Sequence, residues 1–260
     1  MIPSISVVIP AKNEQGNIGR LIKEIHQSLH AFEQVEIVIT DDGSTDQTVQ
    51  EAIETARECQ CAVQVISHAQ SCGQSTAVLT AVKHAKGDWI VTSDADGQND
   101  PSDMPAMLEA AAKVTNPHFC IAGFRAKRQD TAWIRFQSKF ANGIRDKLLG
   151  DGVPDSGCGL KVIPKQTYLQ LPYFDHMHRF LPALIKRLDG EIVVHQVQHR
   201  DREVGTSNYN AWNRAWVGVV DLFGVIWLKH RAKLPVVKDV QAVTAPTGKS
   251  DDAYSNDDTI

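Results

Sequence analysis

The first half of the chain alternates short apolar runs with segments of helical periodicity. "SISVVIP", "VEIVIT" and "AVQVIS" are typical of buried strands. A segment of helical spacing follows each of them, and in the first such segment the apolar residues are Ile18, Leu21, Ile22, Ile25 and Leu29. "WIVTS" and "FCIAG" continue the series, with residues 104–114 helical between them. This order predicts an α/β fold with a mainly parallel central sheet and helices on both faces.

The second half is less regular. We expect helices over residues 131–149, 179–188 and 211–228, strands at "LKVI" and "EIVVHQVQ", and a charged loop at "HRDREVGTSNY". Ser44 and Gln47 have the spacing of a capping box and predict the start of the second helix. Residues 1–235 are predicted to form a single domain.

Composition and charge exclude several classes of protein. The chain has 260 residues, of which 42% are hydrophobic, and no run of 18 apolar residues or secretory signal is visible. Its net charge of −4 equals that of the segment from Asp239 onward, so the remaining body is neutral, which argues against nucleic-acid binding. Residues 236–260 read as an acidic, disordered tail. The five scattered cysteines favour reduced thiols in the cytoplasm.

Three polar clusters directly follow strands: "AKNE", "TDDGSTD" and "SDADGQND". In open α/β sheets ligands bind beyond the carboxyl ends of the strands. We therefore expect these clusters to converge on one crevice.

The third cluster has the ligands of a hard divalent cation. Asp94 and Asp96 stand two residues apart, Gly97 permits a tight turn, and Gln98 adds a neutral oxygen. Such a short oxygen set suits Mg²⁺ or Mn²⁺ that also contacts substrate phosphates. The alternative is a solvated turn that merely ends a strand.

The first two clusters can contact a nucleoside. Asp42 can accept an N–H from a nucleobase, and Glu14 can reach a ribose hydroxyl. The alternatives are that Asp41 or Asp42 only favours a helix N-terminus, and that Asn13 and Glu14 only cap a helix.

Taken together the motifs resemble a known family. "VVIPAKNE", "VITDDGSTDQT", "GQSTAVLTAVKHAKGDWIVTSDADGQNDP", "GFR" and "HRDREVGTSNY" are similar to inverting nucleotide-sugar glycosyltransferases of family 2 with the GT-A fold. The dolichyl- and polyprenyl-phosphate mannose synthases and their bacterial relatives are the most similar branch. The resemblance covers roughly residues 4–230, in order. It implies that residues 1–123 form the nucleotide-binding half and residues 124–235 the acceptor half.

The resemblance also implies roles for individual residues. Those expected to hold the nucleotide are Pro10, Ala11, Glu14, Asp41, Asp42, Gln74 and Asp94. Asp94, Asp96 and Gln98 are the expected metal ligands. Those expected at the transfer step, on the acceptor phosphate or the donor diphosphate, are Asp96, Arg125, Arg135, Ser138 and Arg202. Ser207 and Asp155 align with family positions of unsettled role. Lys12 and Asn208 depart from the family, which often has an aromatic residue and a lysine there.

A phosphate acceptor fits this set of residues. A phosphate is already an oxyanion at neutral pH, so arginines and a cation suffice and no general base is required. A saccharide hydroxyl would need a base instead, for which Asp155 is the best candidate. Arg125 and Arg135 could otherwise be ordinary surface residues.

The apolar helix at residues 211–228 is too short and too interrupted to span a bilayer. Trp212, Trp216 and Trp227 with following basic residues suit an interfacial helix, while packing on the domain's own core is the alternative. The sequence therefore predicts a cytoplasmic, peripheral enzyme at the inner face of the membrane. A membrane-protein partner or a homo-oligomer remains open. The competing functions are a hydroxyl-directed transferase of the same fold and a non-catalytic nucleotide-binding scaffold.

Overall fold

The structure is a computed structural model that describes residues 3–126, 148–200 and 211–231, together with residues 233 and 238, with only the backbone for 211–216. The strands are β1 (Ile5–Ala11), β2 (Val35–Asp41), β3 (Val63–Ser67), β4 (Trp89–Thr92), β5 (Phe119–Arg125), β6 (Lys161–Pro164) and β7 (Glu191–Val197). The helices are α1 (Ile18–Ser28), α2 (Thr48–Cys59), α3 (Gln74–His84), α4 (Met104–Ala111), α5 (Lys165–Leu169), α6 (Leu181–Lys186) and α7 (Ala211–His230). Two 3₁₀ turns span Pro101–Asp103 and Met177–Arg179.

The strands form one sheet in the order β3-β2-β1-β4-β6-β5-β7. The pairs β1–β2, β2–β3, β1–β4 and β5–β7 are parallel, which confirms the predicted mainly parallel sheet. β6 is antiparallel to both β4 and β5 and lies between them. The sequence did not indicate this insertion, because strand direction depends on pairing partners and not on local periodicity.

Helices cover both faces of the sheet, as predicted. On one face, α1, α2 and α4 pack against the odd-numbered residues of β1 and β2, such as Val7 and Ile39. On the other face, α3, α5, α6 and the Val225 side of α7 pack against Val8, Val38 and Ile90. The near-continuous burial of β1 follows from this sandwiching, because a strand covered on both faces needs apolar residues at successive positions.

The predicted capping box is wrong. α2 begins at Thr48, and the Gln47 side chain makes no capping bond. The Ser44 hydroxyl accepts the backbone N–H of Asn13 at 2.8 Å instead. Asp46, which precedes the N-cap residue Gln47, accepts the Thr48 N–H at 3.0 Å. The Ser44 side chain therefore bonds to the loop after β1 and does not cap α2.

α7 confirms the predicted helix over residues 211–228 and continues to His230. Within the described part of the chain, no helix combines the length and the hydropathy needed to cross a bilayer. Residues 148 and 149, the end of the helix predicted over residues 131–149, are helical. The rest of that helix, most of the predicted loop at "HRDREVGTSNY" and nearly all of the predicted tail lie outside the described residues.

Candidate active site

The three polar clusters meet at the carboxyl edge of the sheet because β1, β2 and β4 run parallel. Ala11 at the end of β1 pairs with Asp41 at the end of β2, and Val8 pairs with Thr92 at the end of β4. The chain leaves all three strands on the same side. The topology therefore brings together the segments that the sequence predicted to share one crevice.

The loops after β1 and β2 are hydrogen-bonded to each other. Asn13, in the left-handed conformation with φ +54°, accepts the N–H of Thr45 through its side chain at 2.8 Å. Its own N–H is bonded to Ser44. Glu51 of α2 accepts the N–H of Gly16 at 2.6 Å, which satisfies a backbone donor just ahead of α1. These bonds fix the β1 loop on α2, so the edge of the crevice is rigidly built here.

The residues predicted to hold the nucleoside from this side lie at that edge. Pro10 is half-buried and Ala11 is buried at the end of β1. The Glu14 side chain accepts a bond from the Asn17 amide at 2.8 Å, beside the crevice. Asp41 is buried and accepts the backbone N–H three residues later at 3.2 Å. Their contacts with a nucleotide stay predictions.

The Asp42 carboxylate is hydrogen-bonded to the segment that follows β3. Its Oδ1 lies 2.8 Å from both His68 Nδ1 and the Cys72 N–H, and its Oδ2 accepts bonds from the Ser71 hydroxyl at 2.7 Å and the Gly73 N–H at 2.9 Å. Burial alone would raise the pKa of Asp42, but these hydrogen bonds outweigh it and lower the pKa below its ordinary value. The carboxylate thus holds the loop before α3. The predicted base contact requires at least one of these bonds to open.

Asp94 is held between two loops. Its Oδ1 accepts a hydrogen bond from the Gln74 amide at 2.8 Å, and its Oδ2 lies 3.5 Å from the Asn99 amide. Gly159 supplies the backbone under the carboxylate, where a Cβ atom would stand 2.2 Å from Oδ2. Gln74, expected near the nucleotide in the loop before α3, is the first residue of α3 and reaches across to the β4 loop, while its contact with a nucleotide stays a prediction.

Asp96 and Gln98 complete the loop. The Gln98 N–H donates to Oδ1 of Asp96 at 3.1 Å, which closes a tight turn over Gly97, whose φ is +72°. The Arg20 guanidinium lies so close that a Cβ at Gly97 would meet it at 2.6 Å. The backbone angle therefore favours glycine, whereas the flexible Arg20 side chain is able to move aside.

The electrostatics of the loop suit a cation. Burial raises the pKa of Asp94, and repulsion from Asp96 raises it further, while the positive charges of Lys161 and Arg125 act in the opposite direction. Two carboxylates that are partly removed from water and repel each other are stabilised when a divalent ion lies between them. The donor set of Asp94, Asp96 and Gln98 consists of oxygens, which fits Mg²⁺ or Mn²⁺. The residues present therefore fit the predicted metal.

Arg200 anchors this loop to α1. Its guanidinium donates to Asp100 through Nε at 2.9 Å and to Glu24 through Nη1 at 2.7 Å. Its backbone N–H donates to the Gln98 carbonyl at 3.0 Å. Arg200 was not singled out from sequence, because a surface arginine gives no sign of such partners. It ties the segment after β7 to the predicted metal loop.

Arg125 and Asp155 form a bidentate ion pair. Nε donates to Oδ2 at 2.6 Å and Nη2 donates to Oδ1 at 2.9 Å, with side-chain exposures of 14% and 6%. Burial lowers the pKa of Arg125, but the bond to Asp155 outweighs it and the pKa is raised. A carboxylate that accepts two guanidinium bonds is poorly placed to accept a proton from a substrate hydroxyl. This pairing weakens the alternative in which Asp155 is a general base.

A buried lysine near the metal loop was missed from the sequence. Lys161 is 3% exposed, pairs with Thr92 in the sheet, and donates from Nζ to the Cys158 carbonyl. A lone lysine in the apolar strand "LKVI" is the signal that could have found it, since lysine is almost never fully buried without a partner. Four predicted residues, Arg135, Ser138, Arg202 and Ser207, lie outside the described residues.

Comparison with known proteins identifies sequence relatives. A model of the family described as "Glycosyl transferase family 2" matches residues 6–169. An undecaprenyl-phosphate 4-deoxy-4-formamido-L-arabinose transferase from Edwardsiella ictaluri is 31% identical over 209 residues, covering 80% of this chain and 63% of that protein. A dodecaprenyl-phosphate galacturonate synthase from Rhizobium johnstonii is 29% identical over 234 residues, covering 88% and 68%. The chain thus spans about two thirds of the length of these curated relatives.

Solved structures share the fold. Glucosyl-3-phosphoglycerate synthase from Mycobacterium tuberculosis, solved with Mn²⁺, UDP and phosphoglyceric acid, superposes with a TM-score of 0.64 at 20% identity, covering 89% of this chain and 80% of that one. A mannosyltransferase from Pyrobaculum calidifontis, solved with GDP-Man and Mn²⁺, gives 0.66 at 19% identity, covering 90% and 66%. Both are GT-A glycosyltransferases, so the predicted GT-A fold is confirmed.

Proposed function

This chain belongs to glycosyl transferase family 2, and on that premise we propose that it transfers a sugar from a GDP- or UDP-linked donor to a polyprenyl phosphate, with inversion. The observation that carries the proposal is the pair of interacting carboxylates, Asp94 and Asp96, at the carboxyl edge of the sheet, with Gln74 bonded to Asp94 and Gln98 in the same turn. We call Asp94, Asp96 and Gln98 the oxygen cluster. The relatives that act on undecaprenyl and dodecaprenyl phosphates support the choice of acceptor.

On the donor side, the nucleoside would lie over the ends of β1 and β2, between Pro10 and Asp42. The diphosphate would then reach the β4 loop. A divalent ion held by Asp94, Asp96 and Gln98 would neutralise the diphosphate and stabilise it as it departs. The Mn²⁺ in the neighbouring structures supports a divalent ion, and the donor panel below, run with either Mg²⁺ or Mn²⁺, tests which of the two this chain uses.

On the acceptor side, Arg125 sits at the end of β5, where its charge also acts on Asp94. Asp155 orients the guanidinium by two hydrogen bonds, which leaves the outer edge of the fork for an incoming phosphate. We place the acceptor phosphate beside Arg125, with Arg135, Ser138 and Arg202 as further proposed contacts.

The reaction needs no base in this arrangement. A phosphate oxygen of the acceptor attacks the anomeric carbon, and the bond from that carbon to the diphosphate oxygen breaks with its electron pair going to the leaving diphosphate. Attack in line with the leaving group inverts the anomeric configuration. Arg125 offsets the repulsion between the two anions and orients the attacking oxygen.

A donor panel tests the proposal. The purified chain is incubated with UDP- and GDP-sugars, a short polyprenyl phosphate and either Mg²⁺ or Mn²⁺, and products are identified by mass. We expect one donor class to give a glycosyl phosphate lipid. Asp96→Ala should lower turnover by about 10²–10³-fold, the cost of removing one such electrostatic group. Asp88→Ala is the matched control, since Asp88 is exposed at the opposite end of β4. Full activity of Asp96→Ala, or in excess chelator, contradicts the metal assignment.

The same assay separates the alternatives. Transfer to a saccharide hydroxyl would favour the hydroxyl-directed transferase if Asp155→Asn loses this activity and Arg125→Lys keeps it. Nucleotide binding without metal binding or turnover would favour a scaffold.

We further propose that α7 contacts the surface of an anionic membrane at the cytoplasmic face. Its exposed side chains form an apolar strip that contains Val219, Val220, Phe223 at 66% exposure and Trp227 at 60%. Exposed Arg231 follows the helix. An apolar strip with basic residues at one end is typical of interfacial helices.

Vesicle sedimentation tests this contact. We expect binding to phosphatidylglycerol-containing vesicles and not to phosphatidylcholine alone. Because burying a large side chain is worth about 1.5–3 kcal/mol, Phe223→Ser with Trp227→Ser should weaken binding at least about tenfold. Val194→Ser, at an exposed position on β7, is the control. A wild-type chain that stays in the supernatant contradicts the proposal, and a doubled mass in solution would assign the strip to a homodimer.

A further inference from the structure

A second group of metal-ligating side chains lies apart from the oxygen cluster. Asp42 follows β2, His68 follows β3, and Cys72 stands in the loop before α3. Because β2 and β3 are paired with Asp41 opposite Ser67, Asp42 and His68 leave the sheet side by side. The carboxylate, imidazole and thiol ligand atoms all lie within 4.8 Å of one another. We call these three residues the Asp42–His68–Cys72 cluster.

The donor atoms of this cluster differ from those of the β4 loop. A thiol sulfur and an imidazole nitrogen with one carboxylate oxygen suit Zn²⁺, whereas Mg²⁺ and Mn²⁺ prefer oxygens. Asp94, Asp96 and Gln98 offer only oxygens. The two groups share no residue, so each can be removed by mutation without removing the other.

The spacing is close to that of a bound ion. Zinc lies about 2.0–2.3 Å from each ligand, so tetrahedral ligands stand roughly 3.3–3.8 Å apart. Asp42 Oδ1 and His68 Nδ1, now 2.8 Å apart, would separate by less than about 1 Å. The Cys72 sulfur would move inward by a similar distance, and its exposed side chain is able to rotate.

The histidine is already oriented as a ligand. His68 Nε2 lies 3.0 Å from the Thr80 hydroxyl on α3, while Nδ1 faces Asp42. Metal-bound histidines commonly use one ring nitrogen for the ion and the other for such an orienting hydrogen bond. Cys72 is exposed and Asp42 is buried, so an ion would reach the cluster from solvent through the thiol side.

We propose that Asp42, His68 and Cys72 form a Zn²⁺ site with three protein ligands and one position for water. Binding releases the thiol proton of Cys72 to solvent and needs the neutral His68 tautomer that is unprotonated at Nδ1, with the ring proton on Nε2 donated to the Thr80 hydroxyl; zinc then bonds to the thiolate, Nδ1 and the carboxylate. The ion would also occupy the Asp42 carboxylate that is predicted to contact the base. Zinc should therefore oppose binding of the nucleotide, and this consequence, unlike the site itself, rests on the proposed function.

Direct metal binding tests the site. The whole chain, reduced and free of chelator, is titrated with Co²⁺ and then Zn²⁺ in competition with a chromophoric chelator. We expect one equivalent to bind with a thiolate-to-cobalt charge-transfer absorption that Zn²⁺ abolishes. Cys72→Ser should remove this absorption and weaken Zn²⁺ binding at least tenfold, and His68→Gln should weaken it similarly, with circular dichroism confirming that both fold.

Two further variants locate the ion. Cys61→Ser removes a half-buried thiol outside the cluster and should bind Co²⁺ and Zn²⁺ as the wild type does. Asp96→Ala removes a carboxylate of the oxygen cluster and should also keep the charge-transfer absorption. The proposal is overturned if no charge-transfer absorption appears, if it persists in Cys72→Ser, or if it is lost in Cys61→Ser.

The consequence for the nucleotide is measured separately. With Mn²⁺ present, one equivalent of Zn²⁺ should raise the Kd of UDP or GDP at least tenfold for the wild-type chain and leave that of Cys72→Ser unchanged. An equal Kd with and without Zn²⁺ overturns the competition. If neither nucleotide binds without zinc, the proposed function fails, while the cobalt titration still decides the site.

Discussion

The side-chain amide of Gln74, the first residue of α3, donates a hydrogen bond across the crevice to Oδ1 of Asp94, at 2.8 Å. The bond joins the loop held by Asp42 to the loop predicted to bind the metal. It fixes the direction of one carboxylate before any ligand arrives.

Removing that bond should weaken metal binding without removing a ligand. Gln74→Leu frees the Asp94 carboxylate to rotate, and loss of such an outer contact typically costs 10–100-fold in metal affinity. We expect a rise of this size in the Mn²⁺ concentration for half-maximal turnover. Gln70→Leu, at an exposed position in the same loop, is the control. An unchanged Mn²⁺ dependence would mean that Gln74 does not position Asp94.

A single methyl group should displace Asp94. In Gly159→Ala the new Cβ would stand 2.2 Å from Asp94 Oδ2 and 2.9 Å from the Asn99 amide, so the carboxylate must turn away. In Gly157→Ala the nearest atom, on Arg125, would be 3.6 Å away, an ordinary contact. We expect turnover to fall at least about tenfold in the first variant and little in the second. Equal activities in the two variants would contradict a precise role for the Asp94 carboxylate.

The ion pair of Arg125 and Asp155 predicts unequal effects of single and double substitution. Arg125→Ala leaves the Asp155 carboxylate buried without its main partner, and removing one partner of such a pair costs about 3–5 kcal/mol of unfolding free energy. Arg125→Met with Asp155→Leu should recover most of it, measured by urea denaturation.

The double variant then isolates the catalytic role. If Arg125 receives the acceptor phosphate, the stably folded double variant should still show a raised KM for polyprenyl phosphate, while its KM for the donor is unchanged. A stable double variant with the wild-type KM for the acceptor would reduce Arg125 to a structural residue.

The ionised Asp221 carboxylate on α7 should lower the free energy of unfolding at neutral pH. Burial raises its pKa above the ordinary 3.8, while His176 and Arg179 act in the opposite direction and Asp175 adds to the rise. A carboxyl whose pKa is raised by folding holds its proton more tightly in the folded chain. Its ionisation therefore costs stability as pH rises from 3.8 through the raised value.

Asp221→Asn removes that cost. We expect a higher unfolding free energy than the wild type at pH 7 and a difference that shrinks as the pH falls toward 4, measured by urea denaturation across this range. A variant less stable than the wild type at pH 7 would indicate that the contact of Asp221 with His176, at 3.3 Å, outweighs the burial.

The sequence predicted the strands and helices well where burial has a local period. The spacing of Ile18, Leu21, Ile22 and Ile25 predicted α1 because a helix buries one face at intervals of three and four residues. The short helix α5 was missed, since five residues offer too little periodicity to detect.

By itself, then, the sequence determined the α/β order and the edge at which the polar clusters meet, because the carboxyl ends of parallel strands lie on one side of a sheet. Only the tertiary structure decided the partners: Asp155 for Arg125, Gln74 for Asp94, and His68 for Asp42. These pairs are 30, 20 and 26 residues apart in the chain. A hydrogen bond between such residues depends on how strands and helices pack and on side-chain rotamers, and neither leaves a periodic trace in the sequence.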